Sequence, residues 1–157
     1  MKTELPKMTV GQKRKSVRSE IEAHIKEGNW KMLHNGERRL AKATSLIAVE
    51  VVDNKGLSGV VKAESFVGGE EMLHRMINIG ADINLDDTVE ILDNQEAIPE
   101  KWRGKYFLTG IICEDGAGRH RVLSFCWGDG RWYWGFGCLR SVFNARDRFV
   151  VPATGCP

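Results

Sequence analysis

R-V-L-S-F-C-W-G-D-G-R-W-Y-W-G-F-G-C-L, residues 121–139, is the stretch whose reading decides the fold. Two apolar runs meet at Asp129-Gly130, and Asp-Gly is among the strongest short-range signals for a two-residue type I′ hairpin turn. With that pair as the loop, Gly128 faces Arg131, Trp127 faces Trp132, Cys126 faces Tyr133, Phe125 faces Trp134 and Leu123 faces Phe136. Side chains alternate along a strand, so Leu123, Phe125, Trp127, Trp132, Trp134 and Phe136 share one face. The opposite face carries Val122, Ser124, Cys126 and Tyr133 with two glycines, Gly135 and Gly137. One side is a slab of large aromatics and the other is thin.

Working outward, residues 105–113 place Tyr106, Leu108 and Ile112 on one side of a strand, and the glycine-containing turn at 115–119 returns the chain into the hairpin. This makes a three-stranded meander over 105–139. Upstream, Ile47, Val49 and Val51 alternate with their neighbours, and D-N-K-G at 53–56 supplies a turn, so 45–65 reads as a second hairpin. Thr9 and Gln12 form a capping box ahead of a helix over 10–27, closed by Gly28-Asn29. Trp30 anchors the connection after this helix to the core, and 37–43 adds a helical turn. A second helix spans 69–79, with acids in its first turn, Gly80 at its end and an apolar face of Met72, Leu73, Met76 and Ile77. Thioether side chains adapt to irregular aromatic surfaces, so this face is the expected cover of the slab. Residues 88–92 read as a short strand and 148–151 as an edge strand stopped by Pro152. The fold class is therefore α+β: a mainly antiparallel sheet, the 105–139 meander plus the 45–65 hairpin, with helices 10–27 and 69–79 on one side.

A chain of 157 residues fits one domain, expected over 9–152, with a loose tail at 1–8 and a frayed end at 153–157. A domain this size buries roughly 70% of its unfolded surface and needs neither disulfide nor metal. No apolar run approaches a membrane span, and the start, M-K-T-E-L-P-K-M, lacks the apolar stretch of a signal peptide. The expected setting is the cytoplasm, with the four cysteines as free thiols. The net charge of +2 hides a segregation: +6 over 1–42, −9 over 43–100 and +5 over 101–157. Such a chain either compensates itself across its own surface or presents a basic arm to a polyanion.

Four constellations bear on chemistry. Phe125, Trp127, Trp132, Trp134 and Phe136 would stack bases or sugars if open to solvent, with Arg131 nearby for phosphates. As a core they would be buried, and that is the favoured reading, because a slab left open exceeds what soluble monomers tolerate. Residues 82–93, D-I-N-L-D-D-T-V-E-I-L-D, resemble a calcium loop but carry Asp87 where the turn glycine belongs and Asp93 where the bidentate Glu belongs, so a solvated acidic loop is expected. Glu71 and His74 are spaced like metal ligands but lack a matching pair, and are read as a surface pair. Cys126 and His120 lie about 20 Å apart along a strand, too far for a nucleophile and its base.

The residues thus point to a small non-catalytic binding or accessory protein acting through protein–protein contacts, self-association included, with no cofactor or metal. The first rival is nucleic-acid binding by the basic N-terminal helix, through Lys13, Arg14, Lys15 and Arg18, with Arg131. The second is a small-molecule enzyme with a pocket beside the aromatic sheet.

Overall fold

The structure, a computed structural model, describes residues 16–40, 45–52 and 66–153. In chain order these form α1 (Val17–Glu27), β1 (Lys31–Asn35), β2 (Ser45–Glu50), β3 (Phe66–Val67), α2 (Gly69–Asn78), α3 (Leu85–Asp93), β4 (Tyr106–Glu114), β5 (His120–Gly128), β6 (Arg131–Cys138), β7 (Phe143–Asn144) and β8 (Asp147–Ala153). The class is α+β, with a main sheet in the order β2-β8-β4-β5-β6 and β1 also against β4. All pairs are antiparallel except β4 with β8. β3 and β7 make a separate two-stranded ribbon.

The central hairpin has the expected register, from Gly128↔Arg131 through Leu123↔Phe136 to Arg121↔Cys138. Asp129 and Gly130 take φ values of 52° and 78°, the two left-handed positions that a type I′ turn demands. β4 completes the meander through the 115–119 turn, where Asp115 Oδ1 accepts from the Ala117 and Arg119 amides at 2.9 Å each. Burial alone would raise this carboxyl, but those amides and the Arg121 guanidinium outweigh it and hold Asp115 at about 2.

Several expectations change. Ser16 caps α1, its side chain accepting from the Ser19 amide at 3.1 Å, so the helix begins at Val17. The Thr9/Gln12 box and residues 10–15 lie outside the described residues, as do the 1–8 tail and residues 154–157. β2 pairs with β8, and the 53–56 turn and return strand expected over 57–65 fall outside the described residues. Of the expected second strand, Phe66 and Val67 are described, and they pair with β7. β8 is an interior strand, flanked by β2 and by β4, and it runs through Pro152 where β4 pairing has already ended at Phe149. Glu37 makes a bridge to Ile83 in place of a helical turn.

The largest correction concerns 82–93. Instead of a solvated loop and a strand, Leu85–Asp93 is α3, capped by Asn84, whose Oδ1 accepts from the Asp87 amide at 2.9 Å. Its Leu85, Val89 and Leu92 are buried at helical spacing. α3 and α1 together cover the aromatic face, where Ile21, Leu85 and Val89 pack with Ile111 and Leu123. Ile91, Leu92, Ile98 and Trp102 pack with Phe107, Phe125 and Trp132 on the same face. Trp102 stacks on Phe107 at 4.6 Å between centroids, and Phe107 on Phe125 at 5.3 Å.

α2 lies on the other side. Met72 and Met76 pack with Leu108, Ile112, Val122 and Phe149, the thin face of the sheet. The helices therefore sandwich the sheet, and the Met face does not touch the slab. The thin face is better matched to α2 because small and β-branched residues let a helix approach closely. Gly69 shows how closely: a Cβ there would stand 1.7 Å from the Leu139 carbonyl oxygen.

One segment ties the layers together. β4 has β8 along its first half and β1 along its second. Between them the ladder with β5 shifts register between Leu108 and Ile112. There Ile83 O accepts from the Gly110 amide at 2.8 Å, while the Glu37 amide donates to Asp82 O and the Asn84 amide to Glu37 O. Asp87, fully buried, accepts from the Arg39 amide at 2.6 Å and the Leu40 amide at 3.3 Å and pairs with Arg38 at 2.6 Å. Asp82, also buried, pairs with Arg39 at 2.7 Å.

Two stability measurements check this layout. Met76→Ala should cost about 2–5 kcal/mol in chemical denaturation, and Ile77→Ala, at an exposed position, less than about 0.5 kcal/mol. Asp87→Ala should cost about 1–3 kcal/mol for each of the Arg39 and Leu40 amides it leaves without an acceptor, while Arg38 keeps Glu90.

Candidate binding cleft

The thin face is only partly covered by α2, and what remains is a cleft of about 440 Å³. Strand pairing sets its floor in rows. Tyr106, Cys126 and Tyr133 stand side by side across β4, β5 and β6, and Leu108, Ser124 and Gly135 form the next row. Val122 and Gly137 form the third. The 138–147 segment closes the far side with Cys138, Val142, Phe143, Asn144 and Asp147.

Gly135 and Gly137 have neither of the two usual reasons to be glycine. Their φ values are not positive, and a Cβ built on either meets nothing within 4 Å. Glycine inside a strand weakens it, and without a bulge it marks a place that something else approaches closely. Among the described residues nothing fills that space. The rim is apolar and exposed: Tyr106 at 39%, Tyr133 at 43% and Val142 at 58% of their full accessibility.

Polar groups converge on the same recess. The contact with the Cys126 thiol pushes the Tyr133 phenol up, so it remains a neutral donor at ordinary pH. Burial likewise raises the Asp147 carboxyl, although Asp147 accepts from the Asn144 amide at 2.8 Å. The Arg146 guanidinium lies over the Tyr106 ring, 5.0 Å from its centroid. No histidine lines the cleft, so Cys126 and Ser124 have no imidazole base beside them.

The sequence-selected residues distribute differently. Phe125 and Trp132 are buried, while Trp127, Trp134 and Phe136 are half-buried. His24 packs among Trp30, Trp134 and Phe136, and Arg103 lies 3.7 Å over the Trp127 ring. The slab therefore packs within the fold. Arg18 pairs with Asp86 at 2.5 Å, Arg131 is exposed beside the hairpin turn, and Lys13, Arg14 and Lys15 lie outside the described residues. His120 approaches Glu114 at 3.4 Å on the surface, and Glu71 binds Arg75 on its own helix. Among the described residues no three His, Cys, Asp or Glu side chains are grouped to hold a metal ion, and no helix is long and apolar enough to cross a membrane. The thin face and its two glycines are legible in the sequence, but the open space above them is not.

Compared with family models, with curated proteins and with solved structures, the chain finds no match.

Alanine substitution separates an open glycine from a crowded one. Gly135→Ala should leave thermal stability unchanged or raise it by up to about 1 kcal/mol, since it removes the strand cost of glycine and meets no atom. Gly69→Ala should instead destabilise by about 1–3 kcal/mol through overpacking against Leu139.

Proposed function

We propose that the protein is a small, non-catalytic binding protein of the cytoplasm that engages a partner protein through the cleft on the thin face of β5 and β6. The observation that carries this reading is the pair of extended glycines with open space above them, ringed by exposed Tyr106, Tyr133 and Val142. A recess bordered by tyrosines is the anatomy of a protein-contact hot spot, in which a partner side chain is desolvated at the centre. Unpaired Cys113, Cys126 and Cys138 support a reducing compartment. Burial pushes the Cys113 thiol up to about 11, which keeps it inert.

The nucleic-acid reading has less behind it. Arg18 is already paired, and the rings at the centre of the slab are buried away from any base that would stack on them. An enzyme reading has a cleft, but among the described residues the cleft holds no cysteine or serine beside a histidine.

The test is site-specific photo-cross-linking in cells, with p-benzoylphenylalanine replacing Tyr133 and, as controls, the exposed Glu22 and Lys101. A discrete protein adduct from position 133, absent from both controls, is the expected result, and mass spectrometry then identifies the partner. Equal adducts from all three positions, or nucleic acid as the main adduct, would refute the reading.

A further inference from the structure

We infer that the partner at this cleft is a second copy of the chain, joined by antiparallel pairing of β6 with β6 about a two-fold axis at Gly135. This inference rests on the proposed binding role of the cleft and names its partner. It starts from a sheet edge that, among the described residues, pairs with no further strand. β6 ends the strand order, with β5 on one side. The side chain of Gln95 fixes which residues turn their backbone outward: its amide nitrogen donates to Trp132 O and its oxygen accepts from the Trp132 amide, both at 3.0 Å. Outward groups recur every second residue, so those of Trp134 and Phe136 face the same way. Among the described residues neither has a backbone partner on that side.

Edge strands are normally protected by charge, proline or a bulge. β6 has none of these between Trp132 and Cys138, and its register with β5 is unbroken. Gln95 shields one end of the edge and leaves the middle open.

The sequence of the edge is complementary to itself in one register. Pairing about Gly135 sets Trp134 opposite Phe136 of the second copy, exchanging both backbone hydrogen bonds, and symmetry repeats the exchange. Tyr133 then stands opposite Gly137 of the second copy, over a position where nothing lies within 4 Å. The space above Gly137 leaves room for a neighbouring tyrosine, and Gly135 meets Gly135 of the second copy. Cross-strand pairs of this kind, an aromatic with an aromatic and an aromatic over a glycine, are favourable units of a sheet. The run 132–138 is uncharged, so no like charges stand opposite one another within the paired segment.

The test uses the whole chain and charge at the axis. Wild type, Gly135→Lys, Gly135→Glu and an equimolar mixture of the two variants are compared by size exclusion with light scattering, from about 1 to about 200 µM. Circular dichroism checks the fold, which a side chain at 135 should leave intact. Wild type is expected to be a dimer. Each variant alone should bind itself about tenfold or more weakly, since like charges stand directly opposite, and the mixture should recover the dimer as a Lys/Glu pair. Gly137→Glu, also over open space, gives a second disruption should either variant at 135 fail to fold. Ile47→Lys, at an exposed position of β2, is the control and should remain dimeric. A monomeric wild type at every concentration overturns self-pairing, as does a dimer that survives Gly135→Lys and Gly137→Glu but not Ile47→Lys. The cross-link at 133 reads the broader proposal independently, so a monomer that still yields a foreign protein adduct sinks this inference alone.

Discussion

The buried carboxylate of Asp87 sets the geometry on which the other contacts depend. It accepts from two backbone amides at 39–40 and from the Arg38 guanidinium, so the strand-to-strand connection is clamped to the start of α3. A carboxylate without water survives only when its oxygens are satisfied. The clamp holds Ile83 against the bulged centre of β4, between β1 and β8. Gly36, with φ 63°, and Gly110 are glycine here for a steric reason: a Cβ on either would stand within 3 Å of Asp82 backbone atoms. Three segments distant in sequence thereby share one edge of the central strand.

Ion pairs also join part of the segregated charge of the chain. Arg18–Asp86, Arg38–Glu90 and Arg39–Asp82 join the basic first segment to the acidic middle one. Self-compensation accounts for these arginines without a polyanion. The exposed pairs contribute little individually; the buried carboxylates matter because leaving either unpaired would be costly.

The two faces of the meander do different jobs for a physical reason. Large rings need thick cover, and α1, α3 and Trp102 provide it on one side. The thin face accepts α2 over Val122, Leu108 and Ile112, and no β6 residue belongs to that buried cluster. That leaves Ser124, Gly135 and the two tyrosines as a recess at the sheet edge, and it is the reason the proposed contact surface lies opposite the aromatics.

The hairpin turn, its register, the meander and α2 were legible in the sequence, because each is decided within about 20 residues by turn chemistry or periodicity. α3 was partly legible: Leu85, Thr88, Val89 and Leu92 repeat at helical spacing behind an Asn cap, but Asp86, Asp87, Glu90 and Asp93 make the segment look solvated. The sequence carries no mark that says Asp87 will be buried, since its partners at 38–40 lie almost 50 residues away. The pairing of β2 with β8, the side of the sheet each helix covers and the emptiness above Gly135 are likewise long-range outcomes. They depend on which apolar faces meet when the whole chain condenses, and local pattern is silent on that choice.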